Sequence, residues 1–191
     1  MSNFYTDSNT GHTYEVVLGN YTWSQALAGA SAKSYQGLSG HLATITSASE
    51  QQQLQSYLAS SGLSMEGLWL GGSDAGVEGS WKWISGPEGG TQFWSGTATG
   101  SAVSGRYSNW DSAASPPQPN TDGNAASEDY LWVTADAGWN NLTRYKWGDA
   151  PGSTQSAYLV EYSPESNMGA YLDGSGANTA IQTGVSNLPS G

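Results

Sequence analysis

Apolar and polar positions change period along this chain, and the changes mark its elements. Residues 1–21 read as strands, because TYEVVLGNY alternates and is rich in β-branched and aromatic side chains. Thr22 then caps a helix: in TWSQALAGASAKSY, Trp23, Ala26, Leu27 and Ala30 share one face at helical spacing. Gly37 and Gly40 break it, and His41 to Ile45 reads as a short buried strand. Ser47 or Ser49 caps a second helix, SEQQQLQSYLASSG, which ends at Gly62. From residue 67 to residue 162, short runs such as LWLGG, SWKWI, DYLWV and AYLVEY stand between Gly, Pro, Asn and Asp, which predicts a β meander with long loops. Two helices followed by loop-rich strands indicate an α+β domain over residues 1–162. Residues 163–191 are Gly/Ser-rich and aperiodic, a tail or linker, although Tyr171, Leu172 and Ile181 leave a packed-back tail open.

Composition narrows the function classes. The chain has 191 residues, enough for one ordinary domain plus a tail. Its aromatics are 9 Trp and 11 Tyr against 2 Phe, so most carry a polar atom suited to half-buried or ligand-facing positions. Net charge is −11, from 16 acids against 5 bases, which disfavours a nucleic-acid partner and an anionic membrane surface and favours a cation. Cysteine is absent, so no disulfide and no thiolate metal site can form. No apolar run approaches the ~20 residues needed for membrane insertion. The N-terminal MSNFYTDSNTGH lacks the pattern of a cleaved secretory signal.

Catalytic signatures are missing as well. There is no G-x-S-x-G elbow, phosphate loop or dinucleotide fingerprint. Glu128 and Asp129 are neighbours, and adjacent strand residues face opposite sides, so they make a poor glycosidase pair. No enzyme is expected. His12 and His41 are far apart and read as structural. The stretch SPPQPNTDGN (residues 115–124) holds three prolines among amides, hydroxyls and an acid. It is either a slack linker or a braced loop whose oxygens face a ligand.

The order of several motifs resembles the C-type lectin domain. HLATI followed by SEQQ, then LWLGGSDAGVEGSWKWISG, YSNW, QPN, SEDY, GWNN and YLVEY occur in that family's order, from about Tyr14 to Tyr162. The resemblance implies two helices, a small antiparallel sheet and a long calcium-binding loop region. It also implies that Ala30, Tyr130 and Val160 stand at three positions where the family has cysteines, so packing must replace crosslinks usually contributing about 2–4 kcal/mol each. Residues 94–110 and 142–156 are long for the family. Trp69, Trp81, Trp83 and Trp139 are expected in the core, while Trp110, Tyr145 or Trp147 could flank a sugar.

What the resemblance implies for function is a Ca²⁺ site. Ca²⁺ takes roughly 6–8 oxygen ligands. Gln118 and Asn120 supply amide oxygens across Pro119, and a cis bond there would point both the same way. Glu128 supplies a carboxylate, Asn140 and Asn141 complete the site, and Asp122 or Asp149 adds charge. Two neighbouring sugar hydroxyls then replace water on the ion, each also bonded to a protein ligand. Asn141, where the family usually has Asp, predicts weak binding, in the ~10⁻⁴–10⁻³ M range. Gln118-Pro119-Asn120 is a hybrid of the family's two specificity motifs, and Asn120 tilts it to fucose- or mannose-containing glycans. Asp74 and Glu78, with Asp122, Glu128 and Asp129, could hold a second Ca²⁺. The expected protein is thus a calcium-dependent carbohydrate-binding module. It would be a monomeric segment of a larger bacterial cell-surface adhesin, extracellular, binding glycans. The alternative is a protein- or ice-binding module on the same fold, with calcium structural or absent.

Overall fold

A computed structural model of the protein describes residues 4–120, 128–135 and 142–164. Its elements run β1 (Phe4–Thr6), β2 (Thr13–Tyr21), α1 (Trp23–Ser31), β3 (Ser34–Tyr35), β4 (Leu38–Leu42), α2 (Ala48–Ser60), β5 (Leu68–Ser73), β6 (Ser80–Trp83), β7 (Gln92–Ser95), β8 (Ser101–Ala102), β9 (Tyr130–Val133), β10 (Trp147–Ala150) and β11 (Ser156–Tyr162). β11 lies antiparallel to β2, with Tyr162 opposite Thr13, so the last described strand closes against an early one. It also pairs with β4 and, in parallel, with β5. β5 then carries β6, β7 and β8 on one side and the β9–β10 hairpin on the other. The architecture is the α+β arrangement expected; among the described strands the β5–β11 pairing is parallel and the others are antiparallel.

Both helices start where side-chain chemistry satisfies their free N–H groups. Thr22 and Gln25 form a reciprocal capping box at α1. Of the two serines offered for α2, Ser47 is the cap: its side chain accepts from the Glu50 N–H at 3.1 Å. α1 is shorter than the expected stretch running to Tyr35, ending one residue after its last apolar face position, Ala30. It stops at Ser31, and Ser34 and Tyr35 fold back onto β4 through a two-residue turn. Gln36 and Gly37 there have φ of 49° and 83°, the paired left-handed geometry that tight hairpins need.

The core has two parts. One packs Trp81, Trp83, Phe93, Trp110 and Trp147 ring on ring, with Trp81 and Trp110 centroids 4.8 Å apart. Trp110 and Trp147 are therefore core residues rather than sugar flanks, 7% and 0% exposed. The other part lies under α1 and shows how this chain does without disulfides. Ala30 and Val160 sit in one buried cluster. They close over Gly40, where an added Cβ would lie 2.7 Å from the Ala30 carbonyl and 3.1 Å from Val160 Cγ1. Tyr130 packs tilted against Trp23, centroids 4.5 Å apart, and its ring lies over Gly152. A ring over a glycine and an alanine against a valine fill space at these positions.

Candidate functional site

Three chain segments converge at the β9–β10 end of the sheet. The braced loop is anchored first: Gln118 N–H donates to the Asp111 carbonyl at 2.9 Å, and Asp111 N–H donates to the Trp147 carbonyl. Asp111 is 1% exposed; its carboxylate accepts from the N–H groups of Ala113 and Thr143, a loop-organising role. The loop is therefore built into the fold and is not a linker. The Ser115–Pro116 and Gln118–Pro119 peptide bonds are both cis. From β10, Asp149 N–H donates to Gln118 Oε1 at 3.1 Å, while the Asp149 carboxylate accepts from Asn120 N–H at 3.0 and 3.2 Å. Gln118, Asn120 and Asp149 form one clasp, each less than a tenth exposed.

Asp74 brings in the third segment. It directly follows β5, and its N–H donates to the Asp129 carbonyl at 3.2 Å, while Asp74 Oδ2 accepts from Gly79 N–H at 2.8 Å. Glu128 and Asp129 stand half-buried at the entrance to β9. Burial raises the Asp149 carboxyl to about 8, and the neighbouring Glu128 and Asp74 charges add to the shift. Burial likewise lifts Asp74 to about 6, reinforced by Glu78 and Asp129. Asp129 is also raised, by burial. Neighbouring carboxylates thus oppose the ionisation of Asp149 and Asp74 at one end of the sheet. Two buried oxygens there, Asn120 Oδ1 and Asp74 Oδ1, accept no hydrogen bond among the described residues. Orphaned oxygens among mutually repelling carboxylates, with oxygen donors throughout, match the demand of a hard cation such as Ca²⁺.

Of the expected ligands, Gln118, Asn120, Glu128, Asp129 and Asp74 gather at this end. Glu78 stands in the exposed turn after β5, close enough to raise Asp74. Asp122, Asn140 and Asn141 lie outside the described residues. Sequence reasoning gave Asp149 only a supporting charge, whereas it is the residue that links Gln118 to Asn120. The signal was Trp147-Gly148-Asp149, a tryptophan followed two positions later by an acid on the same side of a strand. Gly148 between them leaves room for Trp132: an added Cβ would lie 2.9 Å from Trp132 Nε1 and 3.4 Å from Gln118 Oε1.

A second carboxylate cluster lies elsewhere. His12, Glu50 and Glu161 bring ligand-type atoms within 4.8 Å of one another, a spacing a metal ion could also span. Here His12 Nδ1 approaches Glu161 Oε1 at 2.8 Å. Thr44 donates to Glu161 Oε2 through its N–H and its hydroxyl, and Tyr14 Oη donates to Glu50 Oε1 at 2.8 Å. His12 is thus a structural residue, as expected, and so is His41, whose ring meets the Leu42 carbonyl and Ser163 Oγ. No helix among the described residues is long and apolar enough to cross a membrane.

Known proteins carry the same pattern. Halomucin of Haloquadratum walsbyi is 37% identical over 182 residues, 95% of this chain but 2% of that protein, so the chain spans a small fraction of its relative. The fold is shared with the C-type lectin CEL-I of Cucumaria echinata at a TM-score of 0.56 and 22% identity, covering 84% of this chain and 95% of that one. It is shared equally with a calcium-independent type II antifreeze protein, at a TM-score of 0.55 and 21% identity, covering 85% and 93%. The family model for the lectin C-type domain matches residues 20–159, well over half the chain. The chain therefore belongs to the C-type lectin domain family.

Proposed function

We propose that this domain is a calcium-dependent carbohydrate-binding module, with Gln118, Asn120, Glu128 and Asp149 as the ion's protein ligands. The observation that carries the reading is the pair of buried, unmatched oxygens, Asn120 Oδ1 and Asp74 Oδ1, among acids with raised pKa values. When bound, the ion would supply coordination positions for two neighbouring hydroxyls of a sugar. The chain's own residues do the recognition. The Gln118 and Asn120 amides each keep an NH₂ to donate, and Glu128 keeps an oxygen to accept. Asn140, Asn141 and Asp122 remain candidate ligands beside them. Asp74, Asp129 and Glu78 are candidates for a second ion. With Asp149 added to Glu128, the site carries more charge than the loop alone would give, so Ca²⁺ affinity belongs near ~10⁻⁴ M.

Fucose- or mannose-containing glycans are the favoured ligands, because Asn120 keeps that half of the hybrid motif. Kinship with a small part of a very large protein, halomucin, supports a monomeric module of a longer extracellular surface chain that adheres to glycans. A second reading, an ice- or protein-binding module that needs no calcium, draws on the fold shared with the calcium-independent antifreeze protein. Binding to fucose- or mannose-containing glycans on an array that disappears with EDTA and with Asn120→Ala, in a variant that stays folded, is the expected result. Binding to those same neutral glycans that survives EDTA, or binding to ice or a protein partner in their place, would transfer the assignment to the second reading.

A further inference from the structure

A cleft of about 330 Å³ opens between the start of α2 and the turn before β10, where Gln52, Gln55, Asn109, Arg144, Tyr145 and Lys146 line it. Tyr145 is the feature that needs explaining. Its φ of 64° is a left-handed conformation that a bulky side chain rarely adopts. The surroundings hold it there: its carbonyl accepts from Asn109 Nδ2 at 2.9 Å and Gln51 Nε2 at 3.3 Å, and its N–H donates to the Thr134 carbonyl. That clamped turn sets the Arg144 guanidinium 5.3 Å from the Tyr145 ring centroid and Lys146 Nζ 3.0 Å from Asn109 Oδ1. Two of the chain's five basic residues thereby line one cleft of a protein with net charge −11, Arg144 being paired with Glu66.

The lining fits one ligand class. Gln52 and Gln55 stand three apart on α2, one exposed and one half-buried, and present amides that can both donate to and accept from hydroxyls. Lys146 has three N–H donors, of which Asn109 takes one, so donors remain for an anion. The half-buried Tyr145 ring, with the Arg144 guanidinium 5.3 Å from its centroid, supplies an apolar wall of the cleft for the C–H side of a pyranose. The negative field of the whole chain rejects polyanions, whereas a single carboxylate on an otherwise neutral ring is accommodated, since distant charges are screened beyond about 8 Å. We propose that this cleft is a second, calcium-independent saccharide site, selective for a uronate unit, with Lys146 meeting the carboxylate and Gln52 and Gln55 meeting ring hydroxyls.

Titration of the full chain in EDTA with glucuronate, glucose and acetate tests it without involving the loop site. Glucuronate should bind at least about tenfold more tightly than either glucose or acetate, and Lys146→Gln should remove that advantage. Gln55→Ala should weaken glucuronate severalfold, with both variants matching the parent in far-UV circular dichroism. Equal affinity for glucuronate and glucose, equal affinity for glucuronate and acetate, or unchanged binding by folded Lys146→Gln would each overturn the proposal.

Discussion

Carboxylates are buried in two places in this domain, and the two places are finished differently. Around Glu161 the fold supplies its own partners: His12 at 2.8 Å, hydroxyl and N–H donors from Thr44, and Tyr14 and Thr46 on Glu50. At the β9–β10 end, among the described residues, the Asp149 and Asp74 carboxylates have backbone N–H donors but no basic side chain among the partners found for them, and Asn120 Oδ1 and Asp74 Oδ1 accept no hydrogen bond. The first arrangement closes on itself and ties β2, α2 and β11 together. The second lacks such donors and is, on the proposed reading, where a cation binds. The same residue type is structural in one place and a proposed ion ligand in the other because of which donors the fold brings to it.

The largest effect expected from breaking the comparison is at the closed cluster. Glu161→Ala leaves the Thr44 N–H and His12 without their acceptor, and should lower stability by about 3 kcal/mol in urea unfolding. The loss should be the same in calcium and in chelator; a loss that depended on calcium would show that the two clusters are not separate. At the open cluster the pattern should invert. Calcium at about a hundredfold its Kd should stabilise the domain by about 2.7 kcal/mol, read as a Tm rise of roughly 5–10 °C. Asp149→Asn should abolish that rise yet be close to neutral in chelator, since burial beside Glu128 and Asp74 already disfavours the charged form of that carboxyl. A calcium-dependent Tm that Asp149→Asn leaves intact would remove Asp149 from the site.

A smaller effect separates the clusters by pH. Burial, with Glu161 adding to it, raises the Glu50 carboxyl from 4.5 to about 7. Between those values the folded chain holds more proton than the unfolded one, so this group's contribution is present below about 4.5 and is lost as pH rises through about 7. Allowing for its partly open position, the loss is ~1–2 kcal/mol. Denaturation in saturating calcium should show the decline, and Glu50→Gln should flatten it; an unchanged slope would place the proton elsewhere. The smallest change is at Gly148. Gly148→Ala puts a Cβ 2.9 Å from Trp132 Nε1, which the half-buried indole must yield to at about 1 kcal/mol. Tm in chelator reads that, and a wild-type value would mean that Trp132 moves freely there.

Local signals made much of the fold legible. Thr22 and Ser47 announced the helix starts because capping is decided within four residues. Gln118-Pro119-Asn120 stood out because proline and amides carry their meaning in place. The end of α1 is less legible, because no breaker stands between Ser31 and Gly37, although the apolar face ends at Ala30 with polar Lys33 and Ser34 next on it, and the Gln36-Gly37 turn forms the β3–β4 hairpin instead. Trp147 was read as a loop-side aromatic. Its 0% exposure follows from the β9 register, which sets it opposite Val133 and against Trp83 and Phe93.

The chain by itself determined the family order of its motifs, its helix caps, its acidic balance and the amide pair around Pro119, all properties of neighbouring residues or of composition. Tertiary structure alone decided that Asp149 meets Asn120, that His12 meets Glu161, and that Arg144 and Lys146 face α2. Those meetings join residues up to 149 positions apart in the numbering, 161 against 12. They depend on strand register and close packing, where a shift of one residue reverses every side chain, and no local propensity encodes that.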